Sequence, residues 1–193
     1  MWHEISSFIS TALSVFFCAV AIKLSDEYLD RAIDELTGHK NWAHKLGNGT
    51  MLYAMLMLII AAGLNATVSL PLFLSSYIIG MFHDLKQTFP SRLTGLQESC
   101  VVLLIGIAIF TWQMMLFALL YIFAIQLIDD CIDYKLDDMA GYRNFAHKLG
   151  VVESLLLAGL AIISAFAIDE ASFAPVLSGT IVFFLGMYYE EAL

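Results

Sequence analysis

Long apolar runs alternate with short polar segments along the chain, a pattern that predicts helices crossing a membrane. The first run covers about residues 5–24 and matches the roughly 20 residues that a helix needs to cross the hydrocarbon core. Residues 50–64 and 68–82 form two shorter runs separated by Asn65-Ala66-Thr67, and this spacing predicts a tight helical hairpin. A polar loop follows at residues 83–99.

The next apolar run, residues 100–128, is too long for one comfortable crossing of a core about 30 Å thick. We interpret Thr111-Trp112-Gln113 as a turn that divides this run into two short spans; a single tilted helix is the alternative. Two further spans are predicted at residues 151–168 and 174–189, with Asp169 in the turn between them. The pattern therefore predicts an all-α, polytopic membrane helix bundle of about seven spans.

Composition supports a membrane setting. The 193 residues are 60% hydrophobic and 14% charged, and their mean hydropathy is +0.81, which is far more apolar than a soluble domain of this length. We expect a single integral membrane domain over residues 1–193, located in a cell or inner membrane, with lipids and no nucleic acid among its partners. The formal net charge of −9 is concentrated in two acidic segments.

These two segments are copies of each other. DEYLDRAIDELTGHKNWAHKLG, residues 26–47, returns 103 positions later as DDCIDYKLDDMAGYRNFAHKLG, residues 129–150, with ten of twenty-two positions identical. A single long-period repeat indicates two related halves rather than a solenoid of many short units. We place the halves at about residues 5–97 and 98–193.

The aspartates of each copy recur at every fourth position, so on a helix they line one wall over two turns. Like charges at this spacing repel, so a cation is expected to offset them. Mg²⁺ is the natural candidate, since it takes carboxylate oxygens and completes its shell with water and substrate phosphates. Two such walls facing each other would hold a metal-bridged diphosphate.

Basic residues indicate the orientation. If the 100–128 run is split, all nine Lys and Arg residues lie on one face, and the positive-inside rule makes that face cytoplasmic, with both acidic segments on it. If that run is one helix, the repeats face opposite sides, as in secondary transporters. The alternative function is then a divalent-cation transporter with acid-lined halves.

The motifs resemble those of the UbiA family of intramembrane prenyltransferases. Asp26-Glu27-x-x-Asp30-x-x-x-Asp34 is similar to the family's N-D-x-x-D-x-x-x-D motif, with Asp26 in the Asn position. Asp130-x-x-Asp133-x-x-x-Asp137 is similar to its second motif, K-D-x-x-D-x-x-x-D, with Asp129 in place of the Lys. The loop segment FHDLKQTFPSRLTG resembles the family's cationic loop, with Lys86 in the Lys position and Gln87 in place of the usual Arg.

The resemblance implies a helical bundle with a central cavity, in which Mg²⁺ ions bind an isoprenyl diphosphate whose prenyl group is transferred to a lipophilic acceptor. It implies metal ligation by the acids of both motifs: Asp26, Glu27, Asp30, Asp34, Asp130, Asp133 and Asp137. The candidate diphosphate cations are Lys86, Arg92, Lys45, Arg143 and Lys148, and the residues assigned to catalysis are Asp30, Asp133 and Lys86. Family members have about nine spans, so the shorter chain raises two further hypotheses: a homo-oligomer, or a non-catalytic relative that binds metal or lipid.

Overall fold

The structure is a computed structural model that describes residues 2–37, 42–134 and 144–191. The described residues are predominantly helical, and short 3₁₀ turns cover Gly47–Gly49 and Met81–His83. The helices are α1 (Trp2–Thr37), α2 (Trp42–Leu46), α3 (Thr50–Gly80), α4 (Gly95–Phe110), α5 (Trp112–Ile132), α6 (Phe145–Leu149), α7 (Val151–Ile168) and α8 (Glu170–Glu191).

Five helices within the described residues are long and apolar enough to cross a membrane. Their spanning segments are Trp2–Leu29, Trp42–Gly80, Trp112–Ile132, Val151–Ile168 and Glu170–Tyr189, and α4 is a shorter apolar helix. Many of their large apolar side chains are exposed to the surroundings, as expected where lipid replaces water as the solvent. The chain is an all-helical integral membrane protein.

The chain divides into two compact units. Unit 1 comprises Met1–Phe73 and Ala171–Leu193, and unit 2 comprises Leu74–Glu170. Unit 1 contains the first acidic repeat and unit 2 contains the second. Residues 171–193 of the second predicted half (98–193) lie in unit 1, and residues 74–97 of the first predicted half (5–97) lie in unit 2.

In unit 1, α3 is interrupted at Asn65, whose φ of −158° and ψ of 88° are not helical. Side-chain hydrogen bonds from α1 reach α3 carbonyls on both sides of this break. From Ser10 to Ser14 of α1, the bonded carbonyl before the break moves back along α3 from Leu64 to Ala61. From Ser14 to Cys18, the bonded carbonyl moves forward along α3 from Asn65 to Ser69. The two arms therefore run in opposite directions, as the predicted hairpin requires. The bonds join Ser10 Oγ to the Leu64 carbonyl (3.0 Å), Ser14 Oγ to the carbonyls of Ala61 (2.7 Å) and Asn65 (3.2 Å), and Cys18 Sγ to the Ser69 carbonyl (3.2 Å).

In unit 2, the predicted division of the long apolar run is present at Thr111, between α4 and α5. Thr111 has φ 97° and ψ 151°, a left-handed conformation that interrupts any helix and is strained for a β-branched residue. The two helices approach closely beside it, since a Cβ at Gly106 would lie 2.6 Å from Met115 Sδ. Helix α5 then packs against α7. The core between α5 and α7 contains Ala124, Leu127, Ala158 and Ala161.

The internal repeat extends beyond the acidic segments. Asp169, between α7 and α8, has φ −146° and ψ 83°, nearly the backbone conformation of Asn65. Pro71 and Pro175 each lie six residues after these breaks. The two arms of α3 thus correspond to α7 and α8, so each repeat consists of a span, an acidic segment and a helical pair.

The first predicted span, about residues 5–24, lies within α1, which continues as one helix through the acids to Thr37. One predicted boundary is wrong. The polar loop was expected to reach residue 99, but α4 begins at Gly95 because Thr94 and Gln97 form a capping box, in which each side chain bonds the other's backbone N–H.

Candidate functional site

The second acid of the first repeat, Glu27, is buried with 8% of its surface exposed. Its Oε2 accepts a hydrogen bond of 2.7 Å from the backbone N–H of Trp42, the first residue of α2. Its Oε1 lies 3.6 Å from Lys23 Nζ, one helical turn earlier on α1. The carboxylate therefore ties the start of α2 to the side of α1.

The second acid of the second repeat, Asp130, is arranged in the same way, with 6% of its surface exposed. Its Oδ2 accepts a hydrogen bond of 2.8 Å from the backbone N–H of Phe145, the first residue of α6. Its Oδ1 accepts one of 2.8 Å from Gln126 Nε2, one turn earlier on α5. Both carboxylate oxygens are bonded within the protein.

We call each of these arrangements an acid clamp: Lys23–Glu27–Trp42 in unit 1 and Gln126–Asp130–Phe145 in unit 2. The three positions of one clamp match the three of the other at the same offset of 103 residues. The first N–H groups of a helix have no partner within the helix. In α2 and α6, the clamp carboxylate accepts a hydrogen bond from the first of these groups. Each clamp joins the start of a short helix to the long helix that precedes it in the sequence.

Asn144 adds a second connection in unit 2. Its Nδ2 donates to the Asp130 carbonyl (2.9 Å), and its Oδ1 caps α6 by accepting from the backbone N–H of His147 (3.0 Å). The same oxygen lies 2.8 Å from His147 Nδ1. Because a carbonyl oxygen only accepts, Nδ1 carries the proton in this pair. The imidazole is stacked on Tyr134, with ring centroids 4.2 Å apart.

The other acids of the two motifs are more accessible where the structure describes them. Asp26 is exposed, and Asp129 and Asp133 are partly buried at the end of α5. Among the side chains that the structure describes, no three of His, Cys, Asp and Glu converge into a group that would hold a metal ion. The side chains of Asp30 and Asp34, and residues Asp137 and Arg143, lie outside the described residues.

The candidate cations occupy two settings. Lys45 and Lys148 are exposed side chains on the clamped helices α2 and α6. Lys148 Nζ lies 5.7 Å from the centroid of the Phe145 ring, within the range of a cation–π contact. Lys86 and Arg92 are exposed in the loop that precedes α4. The structure thus places one candidate lysine on the short helix near the end of each acidic segment.

The loop before α4 has a defined conformation. Glu98 accepts hydrogen bonds from the hydroxyls of Ser91 and Tyr77, which connect the loop, α4 and α3 within unit 2. Those bonds hold the pKa of the Glu98 carboxyl below its ordinary value of 4.5, with Ser91 as the larger cause. Gly95 permits a close turn, since a Cβ there would lie 2.5 Å from the Asp84 carbonyl oxygen. Lys86 and Arg92 are therefore carried on an ordered loop.

A separate cavity of about 450 Å³ lies in unit 1, at the opposite end of α1 from the acids. Its polar lining includes His3, Glu4, Thr11, Asn65 and Ser172. Asn65 is fixed there by donating from Nδ2 to Thr11 Oγ1 at 2.8 Å. The cavity is distinct from the acidic motif, because about four turns of α1 lie between Thr11 and Asp26.

Comparisons of the chain with family models, with curated proteins and with solved structures find no match. The likeness to the prenyltransferase family therefore rests on the motifs themselves.

Sequence reasoning missed the acid clamps. It assigned Glu27 and Asp130 to metal binding and gave no role to Lys23 or Gln126. The available signal was a donor side chain four residues before the second acid in both repeats. The other partner is a backbone N–H fifteen residues later. Every residue except proline has such a group, so the sequence does not mark it.

Proposed function

We propose that the protein is a Mg²⁺-dependent intramembrane prenyltransferase, which moves a prenyl group from an isoprenyl diphosphate to a lipophilic acceptor. The proposal includes a UbiA-like bundle of about seven spans, with both acidic motifs on the cytoplasmic side. The supporting observation is that both repeats build the same clamp on a membrane-length helix. Each repeat has a buried second acid, an adjacent set of identical aspartates and an exposed lysine on the clamped short helix.

The donors suit the proposed ion. Where the structure describes them, Asp26 is exposed and Asp129 and Asp133 are partly buried. Carboxylates that solvent reaches match the needs of Mg²⁺, which keeps part of its shell for water and substrate phosphate. The proposed ligands are the identical aspartates, Asp26, Asp30 and Asp34 in the first repeat and Asp129, Asp133 and Asp137 in the second. When bound, the ion supplies positive charge that offsets the diphosphate.

The reaction begins when the allylic carbon–oxygen bond breaks and its electron pair leaves with the diphosphate. Fixed positive charges are proposed to stabilise the negative charge that develops on the diphosphate. The residues proposed to supply them are Lys45, Lys148, Lys86, Arg92 and Arg143. Apolar spans keep water away from the allylic cation. The acceptor then supplies an electron pair for the new bond and loses a proton.

Replacing one central aspartate tests this function. Asp30→Ala and Asp133→Ala are each expected to lower Mg²⁺-dependent turnover of farnesyl or geranylgeranyl diphosphate by about 100-fold or more, because charge stabilisation by metal is worth several kcal/mol. Glu170→Gln, at an exposed acid outside both acidic segments, is the matched control and is expected to retain turnover. Equal turnover in all three variants would reject the proposal.

A further inference from the structure

We propose that Glu27 and Asp130 are positioning residues and not metal ligands. Each fixes a short helix, with its lysine, to the acid-bearing helix, and leaves metal binding to the aspartates that are identical in both repeats. The assignment of metal and diphosphate binding to those neighbours rests on the proposed function. The clamp itself rests on geometry alone.

Burial separates the two kinds of acid. Glu27 and Asp130 are 8% and 6% exposed. Asp26 is exposed, and Asp129 and Asp133 are only partly buried. A Mg²⁺ ion that shares its shell with water and phosphate needs ligands that solvent and substrate reach. The accessible aspartates meet this condition and the two clamp acids do not.

Hydrogen bonding already orients the clamp carboxylates. Asp130 uses one oxygen for Gln126 Nε2 and the other for the Phe145 N–H, both at 2.8 Å. Glu27 places its two oxygens toward Lys23 Nζ and the Trp42 N–H. A metal ion at either carboxylate would compete with a partly buried backbone N–H, which is costly to leave without a partner.

The two copies also differ in an informative way. The clamp acid is Glu in one repeat and Asp in the other, and its side-chain donor is Lys in one and Gln in the other. What the copies share is an acceptor oxygen and a donor, the two features that a hydrogen-bonded clamp needs. The positions proposed for metal binding are Asp in both repeats.

The clamp determines where the candidate phosphate cations lie. Trp42 and Phe145 are the first residues of α2 and α6, and Lys45 and Lys148 follow three residues later on the same short helices. Five-residue helices are too short to be stable alone, so their position depends on such tertiary contacts. Breaking a clamp is expected to displace the lysine while leaving Asp26 on α1 and Asp129 on α5.

Neutral isosteres separate a clamp from a ligand. Asp130→Asn and Glu27→Gln keep an acceptor oxygen for the helix N–H, and the Gln126 amide can turn to face an Asn. Both variants are expected to keep Mn²⁺ affinity within about threefold of wild type, measured by electron paramagnetic resonance on the full chain in nanodiscs. Asp133→Asn, the comparison at a proposed ligand, is expected to weaken Mn²⁺ binding by about tenfold or more.

Hydrogen exchange reports on the clamp without any substrate. Asp130→Ala is expected to speed exchange of the α6 amides about tenfold, and Asp130→Asn is expected to restore protection. In the turnover assay, Asp130→Ala should raise KM for farnesyl diphosphate more than it lowers kcat, because it displaces Lys148. If Asp130→Ala does not fold, Gln126→Ala, which removes one partner only, is expected to give a smaller increase in exchange.

Two results would overturn the inference: a loss of Mn²⁺ affinity in Asp130→Asn as large as that in Asp133→Asn, or α6 exchange that is the same in Asp130→Ala, Gln126→Ala and wild type. Failure of the proposed function gives a different pattern. In that case Asp133→Asn binds Mn²⁺ like wild type while Asp130→Ala still loses α6 protection.

Discussion

At the scale of single residues, several identities between the repeats have a structural reason. Gly47 and Gly150 both have positive φ, 58° and 104°, at the point where a short helix gives way to the next long one. Glycine adopts this conformation without steric cost, so both copies end in Gly. Asn144 caps α6 through its side chain. Its counterpart Asn41 lies outside the described residues.

The sequence predicted which residue types matter in the acidic segments but not how their roles divide. Aspartates at every fourth position indicated one helical wall, and α1 does continue through Asp26 to Thr37. Separating Glu27 from its neighbours required knowing that the chain returns to it fifteen residues later. Contacts of that kind depend on tertiary structure, which side-chain periodicity does not encode.

Glu98 gives the loop before α4 a pH dependence. Its folded pKa is below 4.5, so the ionised form favours the folded loop; this stabilisation is complete above pH 4.5 and is lost as pH falls through the folded pKa. We expect loop amides to lose exchange protection below about pH 4.5, after correction for intrinsic rates.

Ser91→Ala is expected to move that loss to higher pH, because it removes the larger cause of the lowered pKa. Ser178→Ala, whose hydroxyl bonds only within its own helix at Ala174, is the control. A loop whose protection is the same in wild type and Ser91→Ala at every pH would contradict this role for Glu98.

At the scale of elements, both predicted interruptions of apolar runs are present, at Asn65 and Thr111. Polar residues within an apolar run indicated both sites. A break in a helix leaves backbone groups without their helical partners, which is costly in lipid unless other groups bond them. The sequence did not indicate how the Asn65 break is stabilised. Its freed carbonyl accepts hydrogen bonds from Ser14 and from Ser69, so a neighbouring helix completes the turn.

Ser14 is therefore expected to stabilise the hairpin of α3. Its buried hydroxyl donates to the carbonyls of Ala61 and Asn65. Interhelical hydrogen bonds of this kind contribute about 0.6–1.7 kcal/mol in membranes. Ser14→Ala should lower the free energy of unfolding in bicelles by about that amount.

Ser164→Ala is the matched control, since Ser164 bonds only the Leu160 carbonyl of its own helix. A loss of stability as large in Ser164→Ala as in Ser14→Ala would argue against the interhelical role.

At the scale of the whole molecule, each compact unit carries one acidic repeat, and the side of the membrane that each repeat faces decides between the two functions considered. A prenyltransferase needs both on one side, whereas a transporter built from inverted halves has them on opposite sides. If α4 and α5 each cross the membrane, the positive-inside rule predicts one common side for all nine basic residues and both acidic segments.

Labelling of single cysteines tests this orientation. In a background without Cys18, Cys100 and Cys131, Gly38→Cys and Gly141→Cys are expected to react with an impermeant maleimide from the same, cytoplasmic side. Reaction from opposite sides would exclude the proposed enzyme and favour the divalent-cation transporter. Uptake of Mn²⁺ into vesicles containing the protein would then be the next measurement.

Diphosphate release by the full-length protein in lipid vesicles, with farnesyl and geranylgeranyl diphosphates as donors and a panel of lipophilic acceptors, is the decisive measurement. We expect release that requires an acceptor, stops when EDTA removes Mg²⁺ and returns when Mg²⁺ is restored, with Asp133→Asn inactive throughout. Release that persists in EDTA, or that Asp133→Asn leaves unchanged, would contradict a metal-assisted transfer at the acidic repeats.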